Sequence, residues 1–590
     1  MNTLYKTLFI STLGLSVASV NIAAQTAAKD TTLNRQVSLE REYTPTIQDA
    51  SKINTLPALH EPAKKQYDIK FENSIPNTSI ASHPIGDTGS GDIKTDIAFS
   101  KHRGYLLFGA GMYSNLDGAA GYRIVDSEND QFDLFATHNS TDGKIKYLNP
   151  SSYLDEAKAK NMENLIKAKY SHKFESLTWH LNGSFFNNTF NYYGNPYVFS
   201  NILGENASFH EGLMKHNQGV NVIEAETGIT STEHSDAMYY SANVKYNNFT
   251  SKYGYDTNYD GVSGSIFDAM VNVAAPVQTD HKAGVEGGIF FQSFSNIDFL
   301  PLLDKDPFHN LTIFKARPYY SIDGGDFKLS LGVNINWASD IENKFVAAPS
   351  IKTSWNFNEK SLLYLNVGGG INDNNFVEMN RENRYINPTS RVFISQTLYD
   401  AQIGVRSGIV SGLEFDIFGG YKYTKDDHLF VPYDAASWGN VSDMLYANLG
   451  EGHFGGALKT KLIPYTDLSL KATTHFYNLS KYTLTDNAPE KKEAWGLPSL
   501  TFDFNADFSF IDNLTLSVNY IFEGGRKMYV NEASSKMDNI NELNIKGTYN
   551  ILDWLSFFVR ANNVMNQKYE RQYGYTNQGI NALGGISLKF

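Results

Sequence analysis

The 590-residue chain contains no cysteine, which excludes both a disulfide framework and a lipid-modified cysteine anchor. After the first residues it has no run of eighteen apolar residues, so no transmembrane helix is expected in the body of the chain. It also lacks positive charge. Fifty Lys and Arg against 63 Asp and Glu leave a net charge of −13, which argues against nucleic acid as a partner and gives no sign of a basic patch for anionic lipid. No HExxH, GxSxG elbow or P-loop occurs, and enzymatic activity is not expected. Proline is scarce, and five of the seventeen (Pro45, Pro57, Pro62, Pro76, Pro84) crowd into residues 25–100.

What is present begins with residues 1–24, which read as a secretory signal peptide. Lys6 supplies the positive region, LFISTLGLSVASV the apolar stretch, and Ile22-Ala23-Ala24 the small residues before Gln25. Removing Lys6 with the signal leaves −14. Residues 25–100 sustain no strand-length alternation and are expected to form an extended periplasmic or lumenal arm; a plain disordered linker over 58–95 is the alternative.

From Lys101 the chain alternates. Phe327, Leu329, Leu331, Val333, Ile335 and Trp337 are interleaved with Lys328, Ser330, Gly332, Asn334 and Asn336. Leu468, Leu470, Ala472, Thr474 and Phe476 alternate with Ser469, Lys471, Thr473 and His475, and Leu514, Leu516, Val518, Tyr520 and Phe522 with Thr515, Ser517 and Asn519. Side chains of a strand point alternately to its two faces, so each segment has one apolar and one wet face, as in a wall between lipid and a polar lumen. The 36 Tyr and 38 Phe suit interfacial aromatic girdles. Exported chains without helical spans can cross a bilayer only as closed barrels.

The connections fall into two sets. Short ones lie around 126–130, 173–176, 248–251, 323–327, 357–360, 408–412, 463–467, 510–513 and 550–554, with a weaker one at 276–282. The set between them is mostly long and polar: 140–160, 190–235, 294–310, 373–392, 424–442, 478–496, 524–538 and 566–580. Ten short turns imply about twenty-two strands, with short periplasmic turns and long extracellular loops.

The C-terminus carries a family resemblance. Asn562–Tyr575 reads NNVMNQKYERQYGY and is followed by a last alternating strand, Ile586, Leu588 and Phe590 against Ser587 and Lys589. That ending resembles the end of a TonB-dependent receptor barrel, and Glu40–Pro57 (EREYTPTIQDASKINTLP) resembles the N-terminal arm of such barrels in the Bacteroidetes. The resemblance implies an outer-membrane receptor or channel over residues 101–590. The chain departs from the family in offering only residues 25–100 where a globular plug would stand, so it looks like a plug-less member. Gln36-Val37-Ser38-Leu39-Glu40 is the nearest candidate for the family's energy-coupling box.

Candidate chemistry is sparse. Asp256-Thr257-Asn258-Tyr259-Asp260-Gly261 fits the first half of a calcium loop, but Phe267 occupies the twelfth position, with Asp268 one place late; a polar hairpin tip is the competing reading. His60, His83, His210, His216, His234, His281 and His309 show no ligand spacing, and His475 is expected on the lumen face as a solvated residue. No cofactor or metal is expected. Phe185–Phe199 and His475–Tyr482 could stack on sugars, or form the outer aromatic girdle, the favoured reading. The loop near 200–235 and Ile371–Arg384 could serve as a recognition surface or lid.

The expectation is therefore an all-β transmembrane antiparallel barrel in the bacterial outer membrane, with residues 25–100 as an arm. Its leading function is that of a receptor or channel binding an unknown small ligand at its extracellular loops. The alternative is a non-transporting structural barrel in an outer-membrane complex, with the arm or outer loops docking a periplasmic or outer-membrane protein.

Overall fold

The structure is a computed structural model, and it describes residues 102–150, 154–198, 216–232, 238–295, 308–340, 343–390, 392–435, 438–483 and 489–590. The expected signal peptide, the arm with its coupling-box candidate, His60, His83, His210, His234 and, of the loop near 200–235, residues 200–215 and 233–235 lie outside the described residues.

Twenty-two antiparallel strands form one sheet in which each pairs with its neighbours in sequence. The sheet closes where Gly104–Gly111 pairs with Asn581–Lys589. Closure leaves no sheet edge, which is what a chain must achieve if its backbone is to be satisfied in lipid. None of the described helices is long and apolar enough to cross a membrane.

The faces follow the alternation. Phe327, Leu331, Val333, Ile335 and Trp337 are exposed on the outside, whereas Asn336 and Ala338 are buried within. Ile166, Ile223, Phe345, Phe454 and Val559 are likewise exposed to the outside. So continuous an apolar surface is what a soluble protein avoids and a bilayer covers.

Ten short connections join the strands at one end, at 127–129, 174–176, 232–238, 279–280, 324–326, 359–360, 411–412, 461–465, 512–513 and 553–554. Two corrections to the sequence reading follow. The turn expected at 248–251 is the end of the strand Tyr239–Ser251, and the short connection lies instead between Ser231 and Tyr239, inside the stretch expected as one long loop over 190–235. The two errors cancel, so the strand count holds. The stretch 424–442 is also no loop: strands Leu413–Ala435 and Gly439–Thr460 run almost to its tip, 23 and 22 residues long.

The chain end is built into the closure. Gly104 N donates to Phe590 O (2.7 Å), Phe590 N donates to Gly104 O (2.9 Å), and the Phe590 ring stacks on Tyr122 with centroids 6.0 Å apart. Gly121 must be glycine here: a Cβ would sit 2.3 Å from the Tyr105 ring. Phe558, on the wet face by alternation, is buried inside against Leu107 and Leu583.

Candidate functional site

The short turns mark the periplasmic end and the opposite end is the extracellular mouth. There the long hairpin formed by Leu413–Ala435 and Gly439–Thr460 leaves the wall. Its register shifts between Thr424 and Asp427, and Asp426 adopts φ +53° at the bend. Such a bulge bends a strand without breaking its ladder. Beyond it the consecutive residues Leu429, Phe430 and Val431 are all buried, so both faces of the hairpin are covered. Leu429, Val431, Ala447 and Leu449 pack with Trp495, Met528, Val530 and Met537 from the loops after residues 483 and 524. Phe430, Met444 and Tyr446 pack on the other side against Met379 and Ile386.

Met379 belongs to a second closing element, the connection 373–394. Asn375 caps a short helix, Phe376–Glu382, by accepting from Glu378 N (3.1 Å). Phe376, Val377 and Met379 form its apolar side; Phe376 and Val377 pack on the barrel wall, with Phe376 stacked on Phe249 at 4.7 Å, and Met379 packs on the hairpin. Glu378 and Arg381 stay exposed. The polar stretch expected as a recognition surface or lid is thus folded into the mouth on a buried apolar seam. Asn387 N donates to Ser442 O (2.7 Å) and Ser442 N to Tyr385 O (2.8 Å), joining it to the hairpin. Arg384 reaches the wall, pairing with Glu163 at 2.8 Å and with Asn161.

The third element is the connection 563–580, which includes most of the family-like NNVMNQKYERQYGY segment. Tyr575 stacks on Tyr385 at 3.9 Å, and its hydroxyl donates to Asn440 O (2.7 Å). Asn195 N donates to Gly574 O (2.9 Å), and the Tyr193 hydroxyl to Thr576 O (3.1 Å). Burial pushes the Tyr193 and Tyr575 phenols well above their ordinary range, so both remain neutral donors. Burial also raises the Glu570 carboxyl, against donation from Gly574 N and the Thr576 hydroxyl. At the hairpin tip Trp438, 2% exposed, donates to Gly254 O (3.1 Å) and rests on Tyr192. Segments that leave the wall far apart in sequence therefore meet over the mouth.

A cavity between these elements, lined by residues including Tyr192, Gln218, Phe376, Met379 and Ile386, has about 20 Å³ of free volume, room for one water. Below the mouth the inner wall is wet. Lys352, Lys471, Asp503, Asn505 and Asp507 point inward yet are exposed, and Lys245–Glu224 (3.0 Å), Arg317–Glu286 (2.6 Å) and Arg406–Asp416 (2.9 Å) line it with ion pairs. Among the described residues, the interior below the mouth is lined by exposed polar side chains and its outer end is closed by loops.

The other sequence candidates resolve as follows. Asp256 Oδ1 accepts from Asn258 N (2.7 Å) in an Asx turn, which is the hairpin-tip reading. Phe267 and Asp268 lie in the strand Ser263–Gln278 and cannot curl back to complete a calcium loop. Among the described residues no three His, Asp or Glu side chains could hold a metal ion. His475 faces the lumen as expected, but it is largely buried and paired with Glu451 at 2.8 Å rather than solvated. Of the aromatic stretches, Phe185 and Phe476 face outward, as a girdle requires, whereas Phe190, Tyr192 and Tyr193 are buried in the closed mouth and fit neither the girdle nor a sugar platform.

No protein-family model matches the sequence, and no curated protein matches it. Solved structures do. A point mutant of the ferric enterobactin receptor PfeA of Pseudomonas aeruginosa, in complex with enterobactin, aligns with TM-score 0.59 at 13% identity, over 82% of this chain and 81% of that one. The siderophore receptor PirA of Acinetobacter baumannii aligns at 0.59 and 12%, over 82% and 80%. The ferric-catecholate import receptor Fiu of E. coli K12 aligns at 0.57 and 10%, over 83% and 82%. At these identities the likeness is one of fold: this chain is a 22-strand outer-membrane β-barrel built like siderophore receptors.

Proposed function

We propose that the protein is a gated outer-membrane receptor whose extracellular loops bind a small solute and admit it to the lumen. The observation that carries this reading is that the described residues line the interior with exposed charged and polar side chains and shut its outer end with packed loops. Solute binding would displace the bent hairpin 427–447 and the connection 373–394, and no side chain performs covalent chemistry.

A second reading has its own support. The closing elements share a core with Phe190, Tyr192, Val220, Phe249, Phe376 and Trp438. Opening would expose that core, which favours a permanently closed barrel serving as a subunit that docks another outer-membrane or periplasmic protein.

Single-channel conductance in planar bilayers separates the two. The full-length chain is expected to be silent, and a variant with residues 427–447 replaced by two glycines to conduct. A truncated variant that stays silent while keeping barrel mobility on unheated gels overturns the gated reading in favour of the second.

A further inference from the structure

The chain's negative balance hides a cationic surface on the outer wall. Strands Asp130–Lys146 and Glu156–Lys173 pair without a register shift, so their even-numbered residues share one face. Exposed Leu134 and Ile166 mark that face as the lipid side, while Asp133 and Glu163 point inward to Arg123 and Arg384. Above Ile166 this face carries Asn164, Met162, Lys160, Lys158 and Glu156; beside them stand His138, Ser140, Asp142, Lys144 and Lys146.

The charges are arranged unfavourably for a wall standing alone. Lys144 lies directly opposite Lys158 in the register, a like-charge pair that costs energy in a ladder. The two acids are taken up diagonally, Glu156 by Lys144 (2.5 Å) and Asp142 by Lys158 (2.8 Å). Four lysines against two acids leave two positive charges over. Lower down, a row of polar side chains crosses four strands: His138 Nδ1 lies 2.7 Å from Asn164 Oδ1, Asn164 donates to Asn187 (3.3 Å), and Asn187 to Asn221 (2.7 Å). This row sits just above outward-facing Ile166, Phe185 and Ile223, where the apolar outer face of these strands gives way to mostly polar residues.

Height selects the ligand. Lys160 stands six residues above Ile166, about 20 Å along a strand at ~3.3 Å per residue, or roughly 15 Å above the apolar belt at a tilt of about 40°. The phosphate of an ordinary phospholipid lies beside the acyl boundary and falls short. A tall sugar headgroup bearing phosphate or carboxylate groups spans the gap. We propose that this outer face binds the anionic headgroup of an outer-leaflet glycolipid, with sugar hydroxyls along His138, Asn164, Asn187 and Asn221 and its anionic groups among Lys144, Lys146, Lys158 and Lys160.

The test uses the full chain in detergent, titrated with lipopolysaccharide and with phosphatidylglycerol vesicles, bound lipid being read by native mass spectrometry. Replacing the surplus pair, Lys146→Gln with Lys160→Gln, is expected to weaken lipopolysaccharide binding about thirtyfold, the effect of two cations near an anionic surface. Asp142→Asn with Glu156→Gln removes the competing acids and is expected to tighten binding by a similar factor, a gain that damaged folding cannot mimic. Lys491→Gln with Lys492→Gln, exposed elsewhere, is the control. Equal weakening by the control pair, no tightening by the acid pair, or equal affinity for phosphatidylglycerol each overturns the proposal.

Discussion

Trp438→Ala is expected to loosen the mouth while leaving the barrel intact. The indole is 2% exposed, donates to Gly254 O at 3.1 Å and contacts the rings of Tyr192 and Tyr253 at 5.0 and 6.1 Å. Truncating a buried Trp costs about 3–5 kcal/mol, of which the lost hydrogen bond accounts for about 1 kcal/mol. The loss falls on the closed arrangement alone, because the lower hairpin keeps its full ladder from Leu413↔Thr460 to Thr424↔Leu449. A shift of that size changes a closed-to-open ratio by roughly 10² to 10⁴. Conductance bursts and faster proteolysis within 438–447 should follow, with unchanged heat-modifiable mobility on gels. Trp438→Phe should give a much smaller effect. If Trp438→Ala stays silent and protease-resistant, the tip is not a latch; if it abolishes barrel mobility, the hairpin is part of the global fold and opens only with it.

Two further outcomes follow from the same closure. Arg384→Ala removes the ion pair to Glu163, and should destabilise the connection 373–394 by about 2 kcal/mol, less than the 3–5 kcal/mol of a fully buried pair, because Asn188 still donates to Glu163. Amide exchange over 383–390 should speed up roughly thirtyfold with no change over 327–337. His428, above the apolar belt, lies 3.0 Å from Glu382 at the end of the short helix. Burial lowers its affinity for a proton, but Glu382 and Asp427 outweigh it, so the imidazole is raised above its ordinary value. A raised folded value means this link is fully stabilising below the ordinary imidazole range and is lost as pH rises through the folded value. Protection over 376–382, taken relative to the intrinsic exchange rate at each pH, should therefore fall between pH 6 and pH 8.5, and His428→Gln should remove that fall; a loss of protection that survives the substitution refutes the assignment.

The wall was legible in the sequence because lipid imposes a simple rule on it. Wherever a strand separates hydrocarbon from a wet lumen, as over Phe327–Trp337, residue type alternates with period two and the face of every side chain follows. The mouth obeys no such rule. In the hairpin above Asp426 the wall is covered on both sides, so Leu429, Phe430 and Val431 need not alternate, and LFVPYDAASWGN reads as a loop although it pairs residue for residue up to Ala435↔Gly439. The connection 373–394 fails for a related reason. Its Asn, Asp and Glu suggested a solvated surface, yet a seven-residue helix needs only Phe376, Val377 and Met379 to bury one side.

The outer lysines escaped notice through the opposite cause. Net charge averages over faces, whereas Lys144, Lys146, Lys158 and Lys160 are all even-numbered in two strands paired in register, and so collect on one surface of a chain that is acidic as a whole. Alternation should thus be applied to charged residues as well as apolar ones. It separates charges that line the lumen from charges that stand on the outer wall. The closed mouth remains beyond such a rule, because its contacts join positions as distant as Tyr193 and Thr576, and that proximity is created only when the sheet closes on itself.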